Sequence, residues 1–287
     1  MARPSACHGI GPAAPFARGI PPAHASVRPF CVRPRRVGMH TGSAARGPKP
    51  LRQRRVRPRF WLLDFYGSAV GKKAVMAVTG ILLLGFVLAH MLGNLHLYEG
   101  SEKMNHYGEY LRTIGSPILP HSGALWALRT GLILALVLHI HSAVTLTLMN
   151  RQSRPVGYKG GRDYLAANYA ARTMRWSGII IAFYLLFHLS DLTWGTGIAA
   201  TDEFTRGEPY QNLVASFQRE PVAILYIVAN VLLGLHIYHG AWSLFQSLGW
   251  ANPRFNHWRR GFAIVFAAII VVGNVSFPVA VMTGLVE

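Results

Sequence analysis

Five stretches of the chain are apolar throughout and long enough to cross a bilayer as helices, which takes about 20 residues. They cover residues 74–95, 123–149, 174–195, 221–248 and 261–284. None of them shows the alternation of apolar and polar residues that is typical of a strand in a soluble domain. The pattern therefore predicts an all-α membrane protein with five transmembrane helices.

The first and third spans carry the same motif. Residues 79–90 read TGILLLGFVLAH and residues 177–188 read SGIIIAFYLLFH, so each copy has a hydroxyl residue, a glycine and, ten residues after that glycine, a histidine. The second and fourth spans also contain histidines, in LILALVLHIH and VLLGLHIYH. We therefore predict that spans 1–2 and 3–4 are parallel near-repeats.

Basic residues lie mainly on one side of the predicted spans. Lys72 and Lys73 precede the first span, and the loops after the second and fourth spans are also basic. The basic residues of those loops are Arg151, Arg154, Lys159, Arg162, Arg172, Arg175, Arg254, Arg259 and Arg260. By the positive-inside rule, the N-terminus is predicted to lie inside and the C-terminus outside.

Composition agrees with a membrane protein, since 51% of the residues are hydrophobic and 14% are charged. The net charge of +18 comes mostly from residues 1–60, which hold no acidic residue. We predict a basic disordered tail over 1–60 and a transmembrane domain over 61–287. The tail also resembles a mitochondrial transit peptide, and Met39 is an alternative start that would omit residues 1–38. It lacks the interleaved aromatics of a nucleic-acid arm, so no nucleic-acid partner is predicted.

Cysteine usage restricts the cofactors that the chain could hold alone. Cys7 and Cys31 are the only cysteines, and both lie in the tail. The chain therefore offers no zinc site of the CxxC type and no iron–sulfur cluster held only by its own cysteines.

The depths of four histidines sort them into two pairs. At about 1.5 Å per helical residue, the distance from each histidine to the nearest loop gives its depth in the bilayer. His90 and His188 fall nearer the outside, and His139 and His236 fall nearer the inside. Each pair combines one histidine from the first half of the chain with one from the second half.

Two facing imidazoles are what a b-type haem requires from neighbouring helices. A macrocycle also needs small residues where it approaches a backbone, and Gly80, Gly85, Gly178 and Gly234 are candidates for such gaps. Two depth-matched pairs predict two haem b groups, which together form an electron path across the membrane. The alternative is that each histidine is only a polar residue bonded to a neighbouring carbonyl or hydroxyl.

His141 and His239 are two further histidines near the inner side. His239 lies one turn after His236 on the same helical face, whereas His141 is about 200° around the helix from His139. Two histidines can ligate one iron of a Rieske-type [2Fe–2S] cluster when another subunit contributes two cysteines. This cluster is the main rival cofactor.

The chain resembles the cytochrome b membrane anchor of succinate dehydrogenase and fumarate reductase, in its single-subunit, five-helix form and with actinobacterial-like features. The resemblance covers residues 65–285 and rests on GILLLGFVLAHMLGNLHLY at 80–98, RWSGIIIAFYLLFH at 175–188 and YIVANVLLGLHIYHGAWSLF at 226–245. It implies that His90 and His188 ligate the haem distal to the iron–sulfur subunit, and that His139 and His236 ligate the proximal haem.

The resemblance also implies partners. A flavoprotein subunit with covalent FAD and an iron–sulfur subunit would dock on the inner side, where the loop 150–173 and the segment 250–260 offer basic and aromatic surface. Succinate oxidation would occur in those partners, so no dicarboxylate chemistry is expected in this chain. A bacterial plasma membrane is the expected location, with the mitochondrial inner membrane as the alternative.

Quinone needs an apolar slot and donors for its carbonyl oxygens. Arg175, Trp176 and Ser177 are candidates at the inner interface, and Ser190, Asp191 and Tyr226 lie near the outer one. Two other functions remain open at this point. One is a transporter in which the histidines relay protons, and the other is a redox-inert structural anchor.

Overall fold

The computed structural model describes residues 60–153, 169–250 and 252–287. Within these ranges every regular element is helical. The α-helices are α1 Trp61–Gly67, α2 Ala69–Asn94, α3 Ser101–Thr113, α4 Gly123–Gln152, α5 Tyr169–Leu189, α6 Pro209–Phe217, α7 Glu220–Ser247 and α8 Asn256–Met282. Apart from Phe60, the predicted tail lies outside the described residues.

The five predicted spans correspond to α2, α4, α5, α7 and α8, each of which is long and apolar enough to cross a membrane. The all-α fold with five membrane-spanning helices is therefore confirmed. The last span differs at its start, because α8 begins at Asn256 and not at residue 261. Hydropathy marks only the apolar part of a helix, and the first turns of α8 carry Trp258, Arg259 and Arg260.

The long helices pack in a defined order. α7 and α8 make the most extensive contact, α2 packs on α4, and α5 packs on α7. α2 also contacts α7 and α8, and so joins the two halves of the bundle. Large apolar side chains such as Phe183 and Val272 remain exposed on the outer faces of the spans, as expected of helices that face lipid.

Two short helices pack together at the predicted outer side. α3 follows the first span and α6 precedes the fourth, and the Asn105 side chain joins them. Its amide nitrogen donates to Gln211 Oε1 at 2.9 Å, and its oxygen accepts from the Tyr210 backbone N–H at 3.1 Å. In the same region, hydrogen bonds from His121 and Arg112 hold the pKa of the Glu109 carboxyl below its usual range. Hydropathy did not predict these helices because they are short and largely polar.

The turn between α1 and α2 depends on close backbone approach. Ser68 caps α2, since its Oγ accepts from the Gly71 N–H at 2.9 Å and donates to the Phe65 carbonyl at 2.6 Å. A Cβ atom at Gly71 would lie 1.9 Å from that same carbonyl oxygen. Only glycine therefore fits at this position.

We expect Gly71→Ala to lower the thermal unfolding temperature of the detergent-purified protein. The added methyl group must displace α1, and overpacking of this kind costs about 1–3 kcal/mol. Gly67→Ala is the matched control, because a Cβ there meets no atom within 4 Å. Equal unfolding temperatures for the two variants would contradict the account of the turn.

Candidate functional site

The two predicted outer histidines face each other across α2 and α5. The ring centroids of His90 and His188 are 5.8 Å apart, and the ring planes are nearly perpendicular, at 87°. His90 also stacks on Phe86, one turn earlier in α2, with centroids 5.3 Å apart. The structure thus brings together the pair that helical depth had matched.

His188 has a hydrogen-bonding partner on a third helix. The Tyr226 hydroxyl, on α7, lies 3.4 Å from His188 Nδ1. The ring of Tyr184 is also near, with its centroid 6.0 Å from that of His188. The hydroxyl of Tyr184 instead accepts from the Asn230 side chain at 3.4 Å. Tyr226 is therefore the residue that fixes the orientation of the His188 ring.

Asp191 lies behind Tyr226, in the π-helical turn Ser190–Trp194 that follows α5. Its side chain is 0% exposed. The carboxylate accepts from the Tyr226 hydroxyl at 2.9 Å, from the Ser216 hydroxyl, and from Arg219 Nη2 at 2.7 Å. Both carboxylate oxygens have donors, so the buried charge is paired and hydrogen-bonded, as a charge in such a place must be.

Sequence reasoning placed Asp191 and Tyr226 near the outer interface but did not predict that they bond to each other. It missed Ser216 and Arg219 altogether. The available signal was an acidic residue within one helical turn of a membrane histidine, which calls for a basic partner.

The two inner histidines are held by the hydroxyl residues of the repeated motif. Thr79 Oγ1 lies 3.2 Å from His139 Nδ1, and Ser177 Oγ lies 3.2 Å from His236 Nδ1. Each hydroxyl donates its own hydrogen to a backbone carbonyl one turn earlier in its helix. The hydroxyl oxygen is therefore left to accept from Nδ1–H of the imidazole.

The glycine of each motif lies beside the same histidine ring as the hydroxyl residue that precedes it. A Cβ atom at Gly80 would lie 3.7 Å from His139 Cε1, and one at Gly178 would lie 3.4 Å from His236 Cε1. Gly85 has open space beside it, with nothing within 4 Å. Gly234 differs from expectation, because a Cβ there would meet Val271 of α8 at 2.1 Å. Its small size serves helix packing and not a cofactor.

The donor set fits a macrocyclic iron group better than a bare metal ion. Among the described residues, no three His, Cys, Asp or Glu side chains converge as ligands. A haem would need only two imidazoles from the protein, and His90 with His188, or His139 with His236, would hold it. When Nδ1 donates a hydrogen bond, the imidazole keeps its Nε2 lone pair for a metal. His139, His188 and His236 all have a hydroxyl placed to accept from Nδ1.

The predicted third tier has a different geometry. His141 is exposed on α4, and its Nδ1 lies 2.5 Å from the Tyr66 hydroxyl of α1. His239 is buried, and its Nε2 has no hydrogen-bonding partner within the described chain. Within the described ranges, His141 contacts α1 and makes no contact with His239. Their role as ligands of one cluster stays a prediction.

The predicted inner quinone residues separate in the structure. Ser177 is buried and bonded to His236, so its hydroxyl is already engaged. Arg175 is exposed, and so is Trp176, at 70%. Most of the predicted docking loop 150–173 lies outside the described residues.

An apolar groove of about 440 Å³ runs between α2 and α4. Phe65, Val78, Leu82, Leu134 and Leu138 are among its lining residues, together with Thr79. The Thr79 hydroxyl already contacts His139, so this groove suits a hydrocarbon chain better than a polar ring.

Comparison with known proteins supports the resemblance seen in the sequence. Residues 169–275 match the family model described as succinate dehydrogenase/fumarate reductase transmembrane subunit. The match includes α5, α7 and most of α8, and therefore His188 and His236. No curated protein and no solved structure matches the chain. The chain is therefore similar to this family of transmembrane subunits over residues 169–275, and its five apolar helices are consistent with a multi-pass membrane protein.

Proposed function

We propose that this chain is the membrane anchor subunit of a succinate:quinone oxidoreductase, the respiratory complex II, and that it passes electrons from an iron–sulfur subunit to quinone. The observation that carries the proposal is the contact between His90 and His188, together with hydroxyl groups beside Nδ1 of His139, His188 and His236. The family match to residues 169–275 supports the same type of complex.

Two haem b groups are the proposed cofactors. His90 and His188 would hold the outer one, and His139 and His236 would hold the inner one. Haem supplies a one-electron carrier in a medium where water and free ions are scarce. The chain itself contributes ligand orientation, through Thr79 and Ser177 at the inner level and Tyr226 at the outer level.

The proposed partners are a flavoprotein subunit with FAD and an iron–sulfur subunit, both docked at the basic inner side. Under this proposal succinate is oxidised in the partners, and this chain receives only electrons. The N-inside orientation from the positive-inside rule is part of the proposal. A bacterial plasma membrane is the proposed location.

Quinone is proposed to bind at the inner interface near Arg175 and Trp176. The guanidinium can donate to a quinone carbonyl, and the indole offers a flat apolar surface for the ring. Both side chains are exposed and so remain available. The Ser177 hydroxyl is bonded to His236, so only the backbone of Ser177 could contact a quinone at this site.

The Rieske-type cluster is the second candidate for the inner redox group. The buried Nε2 of His239, which has no partner in the described part of the chain, is the observation that favours it. The histidine geometry favours haem, because the His141 ring nitrogen is already hydrogen-bonded to Tyr66 of α1.

A reduced-minus-oxidised optical spectrum of the purified complex tests the cofactor directly. We expect a sharp b-type α-band with a haem content of two per chain. A Rieske-like paramagnetic signal without that band would favour the cluster. The absence of both signals would overturn the electron-carrier proposal. A structural anchor or a transporter would then be the remaining functions.

We expect His90→Ala to remove one haem and leave the other, because the ligand is lost from the outer pair alone. The measurement is haem content per complex, with the α-band of the remaining haem. His106→Ala, at an exposed position on α3, should leave both haems in place. Loss of both haems, or of neither, from the His90 variant would contradict the pairing.

Arg175→Gln should raise the KM for quinone, because a charged hydrogen bond contributes about 1.5–3 kcal/mol, or roughly tenfold or more in affinity. Trp176→Phe should raise it less, since the apolar surface is partly kept. Steady-state quinone reduction by the assembled complex gives both values.

Trp126→Phe is the control for these two variants, because Trp126 is similarly exposed, at 60%, but lies at the predicted outer interface. A quinone KM that is unchanged in Arg175→Gln and Trp176→Phe would exclude this position for the site.

A further inference from the structure

The outer and inner histidines end on chemically different partners. At the inner level, Thr79 and Ser177 accept from the imidazoles and pass their own hydrogens to backbone carbonyls, so both chains of bonds end on neutral groups. At the outer level, the chain from His188 continues through Tyr226 to the carboxylate of Asp191. Among His139, His188 and His236, only His188 is connected through its hydroxyl partner to a charged group in the described part of the chain.

The direction of these outer hydrogen bonds follows from the donor count. An ionised carboxylate can only accept, and the Tyr226 hydroxyl has one hydrogen. The short 2.9 Å contact therefore has Tyr226 donating to Asp191. The oxygen of Tyr226 is then free to accept from Nδ1–H of His188, at 3.4 Å. This arrangement leaves Nε2 of His188 as the metal-binding atom.

The Asp191 carboxylate, at which this series of hydrogen bonds ends, is less exposed to water than its counter-ion Arg219. The Asp191 side chain is 0% exposed, whereas that of Arg219 is 31% exposed. Solvent screens the guanidinium more than the carboxylate. Arg219 also binds Asp191 through Oδ1, and Tyr226 binds through Oδ2. His188 is thus linked by hydrogen bonds to the less screened of these two charges.

We propose that Asp191 and Tyr226 are positioning residues that tune the outer redox site by making His188 a stronger electron donor. Hydrogen bonds from a ligand imidazole to an anion, direct or relayed, raise the basicity of the ligand. A more basic axial ligand and a nearby negative charge both favour ferric over ferrous iron, which lowers the reduction potential. The inner site, with its neutral hydroxyl partners, lacks this effect. The proposal rests on the proposed haem function.

The test is a potentiometric titration of the haem α-bands in the complete, purified complex. Tyr226→Phe removes the link between His188 and Asp191, and Asp191→Asn removes the charge while it keeps an acceptor for Tyr226. We expect both variants to favour reduction of the outer haem by about tenfold in its equilibrium constant. Its reduction potential should therefore rise by ~59 mV, the value for one electron. The potential of the inner haem should not change.

Tyr184→Phe is the matched control. It removes a tyrosine hydroxyl from the same cluster, but that hydroxyl contacts Asn230 and not His188. Its outer potential should stay at the wild-type value. A merely structural role for Tyr226 would not produce a shift that Asp191→Asn reproduces with the tyrosine still in place.

The possible outcomes separate the two levels of the argument. Haem present at both levels with no potential shift in either variant would overturn this inference and leave the proposed function intact. Loss of the outer haem from both variants would show a structural role and would also overturn it. A wild-type complex without haem would overturn the proposed function, and the inference with it.

Discussion

An imidazole inside a bilayer has two nitrogen atoms to satisfy where water is scarce, and the bundle is arranged around this constraint. Hydroxyl side chains on neighbouring helices meet it for one nitrogen of His139, His188 and His236. Ionisable side chains are costly in a membrane helix, which is why histidines at these positions favour the proposed redox role over helix association alone.

The repeated motif acquires a physical meaning from these contacts. Its hydroxyl residue and glycine do not serve the histidine at the end of the same helix. They hold the inner histidine of the span that follows, so Thr79 and Gly80 contact His139 while Ser177 contacts His236. Each half of the chain thus positions its own inner histidine with two helices. The outer pair then joins the halves, since His90 and His188 come from different copies.

The two levels of the bundle differ where the repeats diverge. The segment after α5 turns through a π-helix and buries Asp191, and the pairing of that carboxylate with Arg219 stabilises the charge. Breaking a buried pair of this kind by removing one partner costs about 3–5 kcal/mol. The buried Asp191 carboxylate is therefore stable only while its hydrogen-bond donors are in place.

The sequence by itself determined the five spans and predicted that His90 would lie near His188, and both agree with the structure. The depths of the histidines and the inner pair stay predictions. These features depend on local composition and on a constant rise per residue, and both are readable along one helix. The tertiary structure alone decided which hydroxyl meets which ring, that Gly234 packs on α8, and that Tyr66 contacts His141. The physical reason is that an apolar membrane helix carries little polarity contrast between its faces. Its rotation is therefore set by packing against other helices, and the bonds between helices follow from that rotation.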